Sequence, residues 1–320
     1  MCRVPNQFHF VFGLKEQLEP FHLMYYLCLK SCIDTQKPDS VYLYYKYKPY
    51  GPYWELIKDQ LTLEKVEPVD FMKAVPEKDL TSKIYSYAHL ADFIRVQKIL
   101  EKGGVYADID TLFVRKYPAH LFEKDFVLGR EPAIHSASTG KMEKSLCNAV
   151  ILSKKGARFG ERWLHKMAES YDGSWSYHST ILPQKLSEKF SDEIYIAPQQ
   201  YFYKITYSSN DLKDLFEENK PETSTAVYSI HLWNHLWFSR WNKSRTEFHG
   251  GKLNFNYVRT NETTFAQLAK PFLPTEDQLS QVNISDSFSK KISRAVKLIR
   301  NRAKIFFMLV LKKLEKTFQR

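Results

Sequence analysis

Three observations predict an α/β fold with a mostly parallel central sheet flanked by helices. Apolar, β-forming runs alternate with helix-like stretches from residue 7 to residue 110. A long helix-like stretch stops at Gly103-Gly104 and runs straight into another β-forming run, which is the strand–helix–strand pattern of such folds. Hydrophobic residues make up 43% of the chain and charged ones 26%, so a packed core is expected and wholesale disorder is excluded.

The elements follow in order. QFHFVFG (7–13) is apolar and aromatic and ends at a glycine, which reads as strand then loop. Residues 16–33 are helix-like. VYLYYKY (41–47) is a second strand, rich in β-formers. Residues 53–61 read as helix, LEKVEPV (63–69) as a third short strand, and 81–102 as the long helix. VYADID (105–110) is then a strand, and further strands are expected at 126–129, 148–152, 194–196 and 227–230. The polar stretch from Thr260 to Ser289, with Pro271 and Pro274, reads as a linker. The expected organisation is a catalytic-sized domain over 1–258, a linker over 259–288 and a basic amphipathic helix over 289–320.

At 320 residues and 37.8 kDa the chain suits one large domain or two ordinary ones. Its four cysteines are too few for a disulfide scaffold and lack zinc-ligand spacing, so Cys28 and Cys32 read as buried structural thiols. The formal charge of +11 is uneven. Residues 288–320 hold 11 Lys+Arg and one acid, leaving 36 basic and 35 acidic residues in the rest. A neutral body argues against nucleic acid as a partner, because phosphate contacts need a basic face on the fold. Residues 1–12 lack the apolar core of a secretory signal, and no stretch of about 18 uncharged apolar residues is present to span a membrane. Three N-x-S/T sequons (Asn242, Asn261, Asn283) are within chance for this length.

The central motif is EKGGVYADIDTLFV (101–114). Strand alternation would place Val105, Ala107 and Ile109 on one face and Tyr106, Asp108 and Asp110 on the other. Two carboxylates two residues apart at a strand end converge on one point, where they can hold a divalent cation that neutralises a diphosphate. A solvated surface loop is the plain alternative, but charges in an otherwise apolar strand are costly unless used. Just upstream, Asp92 and Arg95 share a helix face. Either they form a surface ion pair, or Arg95 braces a strand carboxylate and Asp92 accepts from sugar hydroxyls.

ADFIRVQKILEKGGVYADIDT resembles the signature of DXD-containing sugar transferases, the group of the initiating mannosyltransferases, the α1,4-galactosyltransferases and the glucosylating toxins. Ala91, Asp92, Arg95, Gly103, Gly104, Tyr106, Asp108 and Asp110 occupy its fixed positions, with Ile99-Leu100 within one residue of the family leucine. The resemblance implies a GT-A-like fold and a nucleotide-sugar donor. It implies donor contacts from Asp92, Arg95, Tyr106 and Asp108. VPNQFHFVF (4–12) is similar to the family's opening segment, which implies that Phe12 stacks on the nucleotide base where the family has Trp; Phe12 could equally be core. YSIHLWNHLWFSRW (228–241) resembles the family's His-x-Trp segment, which implies that His231 completes a metal site with Asp108 and Asp110. An imidazole ligand suits Mn²⁺ better than Mg²⁺; packing of His231 or His235 among Trp233, Trp237 and Trp241 is the alternative. Asn148, in NAVILS, is similar to an asparagine that lines the family's donor-sugar pocket, and Asp108, Asp110 and Asn148 are the residues expected nearest the chemistry. The family's T-G-P loop is missing; SYHSTILP (176–183) stands in its region, which puts the acceptor class in doubt.

The expected reaction is therefore metal-dependent hexose transfer, with retention, from UDP-hexose or else GDP-mannose to a glycan or lipid-linked acceptor in surface polysaccharide or glycolipid synthesis. Two rival readings stand beside it. DIDTL fits a haloacid-dehalogenase-type nucleophile loop. That loop belongs near a domain's start and needs a downstream D-D or similar motif, for which SNDLKD (209–214) is a poor substitute. The other rival is a non-enzymatic peripheral membrane protein. In the tail, Phe288, Ile292, Val296, Ile299, Ala303, Phe306, Val310 and Leu314 form one stripe amid Lys and Arg, the pattern of a helix lying on an anionic membrane surface. The expected location is cytoplasmic, peripheral on the inner face of the cell membrane; packing of the stripe on the catalytic domain or a partner helix is the alternative.

Overall fold

The computed structural model describes residues 3–67, 87–135, 140–171, 176–220, 224–234 and 253–282. Its strands are β1 (Gln7–Val11), β2 (Ser40–Tyr45), β3 (Thr62–Lys65), β4 (Gly104–Ala107), β5 (Thr111–Phe113), β6 (Phe126–Arg130), β7 (Ile134–His135), β8 (Met142–Glu143), β9 (Leu146–Ser153), β10 (Tyr195–Ala197) and β11 (Ser229–His231). The longer helices described are α1 (Leu23–Gln36), α2 (Tyr87–Lys102), α3 (Arg158–Glu169), α4 (Leu182–Lys189) and α5 (Ser209–Phe216).

Seven strands form the central sheet in the order β10-β6-β9-β4-β1-β2-β3. Neighbours pair in parallel except where β9 runs antiparallel between β4 and β6. This is the expected α/β arrangement. Both faces are covered, so the strands are apolar on both sides, as buried sheets require. Phe8 and Phe10 of β1 and Val105 and Ala107 of β4 join α1 residues Leu27 and Cys28 in one core. Tyr106, Leu128 and Ile151 point the other way, into a second core with Ile94 and Ile99 of α2 and Phe159 and Trp163 of α3. Cys28, Cys32 and Cys147 are free and buried, which agrees with their reading as structural thiols.

Three expectations need correction. The first helix begins at Leu23, not residue 16, because the chain before it is tied to a loop: Phe21 N–H donates to Tyr50 O at 2.8 Å. His22 Nδ1 then accepts from Met24 N–H at 3.1 Å and caps the helix. The strand over 105–110 ends at Ala107. Asp108 N–H still donates to Ala149 O at 2.8 Å, but a tight turn closes where Thr111 N–H donates to Asp108 O at 2.9 Å. After a short helix at Phe255–Thr260, which ends where the expected linker begins, that stretch carries short helices at Thr264–Ala269 and Glu276–Gln281. Thr263 and Thr275 cap the latter two, and buried Phe265 packs its ring 5.1 Å from Phe216. The basic tail, 289–320, lies outside the described residues.

The Gly-Gly turn fixes how β4 meets β1. Gly103 and Gly104 have φ of +75° and +108°, which side chains rarely tolerate. A Cβ on Gly104 would overlap Gln7 O and lie 2.9 Å from His9 Nε2. That imidazole is buried, its pKa lowered to about 4 by burial, and the neutral ring bonds Gly103 O through Nε2 at 2.8 Å. Gly104→Ala is therefore expected to lower unfolding free energy by about 2 kcal/mol or more. Urea denaturation followed by circular dichroism measures this, and a loss under about 0.5 kcal/mol would show that the turn relaxes freely.

Candidate active site

The site forms where α2, the turn after β4, the start of β9 and the end of β11 meet. β5 and β11 pair antiparallel with Thr111 opposite His231, so the His231 ring arrives beside the DID turn. One ligand atom each from Asp108, Asp110 and His231 lies within 4.8 Å of the others. His231 Nε2 is 3.2 Å from Asp110 Oδ1 and 3.7 Å from Asp108 Oδ2. It is buried and not aligned for a hydrogen bond with any described residue. A buried imidazole nitrogen this close to two carboxylates places three ligand atoms around a point that a shared cation could occupy. Two carboxylates and one imidazole form a donor set that suits a divalent metal. The carboxylates converge through the turn rather than through strand alternation, which corrects the reading of 105–110 as one continuous strand.

Both carboxylates are braced by neighbouring donors. Asp108 Oδ1 accepts from the Tyr106 hydroxyl at 2.7 Å and lies 3.1 Å from Arg95 Nη1. Asp110 Oδ2 accepts from Asn234 N–H at 2.8 Å, and Asp110 O accepts from Leu232 N–H at 2.9 Å. Trp233, between those two donors, has φ of +52°, a costly conformation for a bulky residue. Its ring sits 4.3 Å from His231, and its Nε1 donates to Ile205 O at 2.9 Å.

Asp92, Arg95 and Asn148 form a second, adjoining cluster. Asp92 Oδ1 accepts from Asn148 Nδ2 at 2.7 Å and lies 3.2 Å from Arg95 Nη2. Arg95 Nη1 also donates to Asn148 O at 2.9 Å, and the guanidinium lies 4.8 Å from the centre of the Tyr106 ring. The Asp92–Arg95 pair is therefore a buried link between helix and sheet, not a surface ion pair. Tyr106 is 1% exposed and its ring lies in the core. It reaches the site only through its hydroxyl on Asp108, so it braces a ligand and offers no surface to a donor. Phe12 follows β1, its ring 5.1 Å from Phe21 and 4.9 Å from Tyr25. The Tyr25 hydroxyl accepts from Asn234 Nδ2 at 3.0 Å, so Phe12 lies beside the residues that hold Asp110. His235, Trp237 and Trp241 lie outside the described residues.

Burial and like charge shift the ionisation of the cluster. Burial raises the Asp108 carboxyl, and Asp110 adds to this against the pull of Arg95 and His231, so its pKa is raised. Burial would lower His231, but Asp110 and then Asp108 outweigh it and the imidazole is raised. Burial would raise Asp92, yet Arg95, His178 and Asn148 together hold it below the ordinary value. Sequence reasoning missed His178, whose Nε2 lies 3.0 Å from Asp92 Oδ2. It also missed Glu131, which follows β6, is buried, and is pushed up to about 7 by that burial. Neither belongs to a motif, and only contacts between distant segments mark them.

Residues 28–127 match the family model for the glycosyltransferase sugar-binding region containing a DXD motif. The resemblance read from the sequence is thereby borne out over those residues. The chain is 29% identical over 283 residues to "Glucan organizing enzyme 1" of Cryptococcus neoformans var. grubii, covering 86% of this chain and 72% of that protein. Among solved structures it is similar to the galactosyltransferase LgtC in complex with donor and acceptor sugar analogs, at 13% identity and TM-score 0.46 over 86% of this chain and 100% of that one. It is also similar to the bifunctional glycosyltransferase WbbM, at 10% identity and TM-score 0.49, over 87% of this chain and 51% of that one. Likeness at that level decides neither donor nor acceptor.

A cation needs His231 neutral and both carboxylates ionised. Because His231 and Asp108 are both shifted upward, protons compete for the site from above the ordinary histidine value of about 6.5. Stabilisation by Mn²⁺, read as a thermal shift, is expected to be full near pH ~8 and to fall steeply by pH ~6. An undiminished shift at pH ~5 would show that the metal binds elsewhere.

Proposed function

We propose that this chain is a metal-dependent hexosyltransferase that moves a hexose from a nucleotide-diphosphate sugar, UDP-hexose first and GDP-mannose second, to a glycan or lipid-linked acceptor with retention. The observation that carries the reading is the Asp108–Asp110–His231 cluster, whose three ligand atoms lie within 4.8 Å of one another. Those three side chains would hold Mn²⁺ or Mg²⁺. The cation supplies positive charge that neutralises the diphosphate as it leaves. Arg95 and Tyr106 hold Asp108 in place, and the Asn234 amide holds Asp110, so the carboxylates are oriented before donor arrives. Asp92 and Asn148 line the donor-sugar side, and Phe12 stands where a base could stack. The name of the Cryptococcus relative speaks of glucan, which supports a polysaccharide acceptor. The basic amphipathic segment over 289–320 would hold the enzyme at the inner face of the cell membrane, each Lys or Arg contributing about 1 kcal/mol near an anionic surface.

Asp110→Asn is expected to lower Mn²⁺-dependent hydrolysis of the donor by about a hundredfold or more while far-UV circular dichroism stays unchanged. Near-normal turnover would remove Asp110 from the metal site. A thermal-shift screen of nucleotide sugars with Mn²⁺ should favour UDP-hexoses; a shift with GDP-mannose alone would reverse the donor assignment. Removal of residues 288–320 is expected to release the protein from anionic vesicles and spare donor hydrolysis. Equal sedimentation of the truncated and full chains with those vesicles would end the membrane reading.

A further inference from the structure

In the region where the family's T-G-P loop is missing, the chain makes a single π-helical turn, Tyr177–Ile181, just before α4. Such turns are rare and concentrate at functional sites. This one drives His178 fully into the interior, 0% exposed. The ring is clamped on several sides. Phe93 stacks on it at 6.0 Å and 15°, His89 meets it edge-on at 5.2 Å, and Tyr171 lies 5.1 Å away. The His178 carbonyl accepts from Trp163 Nε1 at 3.0 Å, which ties the turn to α3. Nε2 lies 3.0 Å from Asp92 Oδ2, while Nδ1 has no hydrogen-bond partner among the described residues. The pairing places a proton on Nε2, donated to the carboxylate.

An ionised carboxylate offers about four acceptor positions. Asn148 Nδ2 and Arg95 Nη2 both address Oδ1 of Asp92, and His178 takes one position on Oδ2. Among the described residues one position on Oδ2 is left, and Asp92 keeps 7% of its surface exposed. We propose that His178 is a positioning residue for the donor: it fixes the plane of the Asp92 carboxylate so that the remaining Oδ2 position receives one hydroxyl of the donor sugar. His178 does not touch the sugar, and its only link to the Asp108–Asp110–His231 cluster, which would take the diphosphate, is the indirect one through Asp92 and Arg95. The inference rests on the reading of Asp92 as a donor-sugar residue. It assigns the π-turn a part in telling a nucleotide sugar from the bare nucleotide.

The test is calorimetric titration of the full chain, with Mn²⁺, by UDP-glucose, UDP-galactose and UDP, in wild type, His178→Gln, His178→Asn and His178→Leu. A glutamine amide reaches the place of Nε2, whereas an asparagine amide reaches only that of Nδ1. The leucine and asparagine variants are expected to lose about ten- to a hundredfold in affinity for the UDP-hexose, with UDP affinity within about twofold of wild type. Glutamine should recover most of the loss. If leucine prevents folding, the comparison of glutamine with asparagine decides the matter. Equal losses for UDP-hexose and UDP, or glutamine no better than asparagine, would overturn the positioning role. No binding of either UDP-hexose by the wild type, with UDP bound, would instead overturn the donor reading and this inference with it.

Discussion

The buried guanidinium of Arg95 is the constraint on which the site depends. It lies on α2 yet contacts Asp92 on its own helix, Asp108 on the turn after β4 and the Asn148 carbonyl on β9, with the Tyr106 ring beneath it. Three separate segments are thus referred to one planar cation. An intact buried ion pair contributes little net stability, because desolvation cancels most of the attraction, but removing one partner typically costs about 3–5 kcal/mol. The arrangement is better understood as holding geometry than as holding the fold together. A guanidinium suits this work because its donors form a rigid fork, so the carboxylates it meets cannot swing independently.

The metal-type cluster is assembled from parts that contribute little alone. The turn over 108–110 brings two carboxylates together, and the short β5–β11 pairing supplies the imidazole. Trp233 is held in the left-handed region directly after β11, so that Leu232 and Asn234 can both donate to Asp110. Backbone strain of this kind costs about 1–3 kcal/mol and persists only where surrounding contacts enforce it. Here the enforcing contacts are the Trp233 indole on Ile205 O and its ring against His231. Strain, three converging ligand atoms and raised pKa values coincide at one point, as they do where a site is organised for a ligand rather than for stability alone.

Much of this was legible in the residues themselves. Apolar β-forming runs, helix-like stretches and the Gly-Gly stop outline the α/β fold, because local propensity and burial pattern act over a few residues. The spacing of Asp92, Arg95, Asp108 and Asp110 marked the site for the same reason: all four lie within twenty residues, and the helix–turn–strand between them has a predictable geometry. Element ends were less accurate. The start of α1 moved because Phe21 bonds Tyr50 across the fold, and the polar stretch after residue 258 packs because Phe265 finds Phe216.

The sequence by itself determined that a largely parallel sheet would carry a paired-carboxylate motif at the end of a strand, since both follow from short-range order and side-chain chemistry. Only the tertiary structure decided that the carboxylates meet through a turn rather than through alternation. Only it placed Tyr106 behind Asp108 instead of before a ligand, and turned Asp92–Arg95 from a possible surface pair into a buried link. Only it brought His178 to Asp92 across eighty-six residues of chain and seated Glu131 in the interior. The physical reason is that hydrogen bonds between remote segments are set by how helices and strands pack. No local spacing encodes the side chain that will arrive from the far end of the domain.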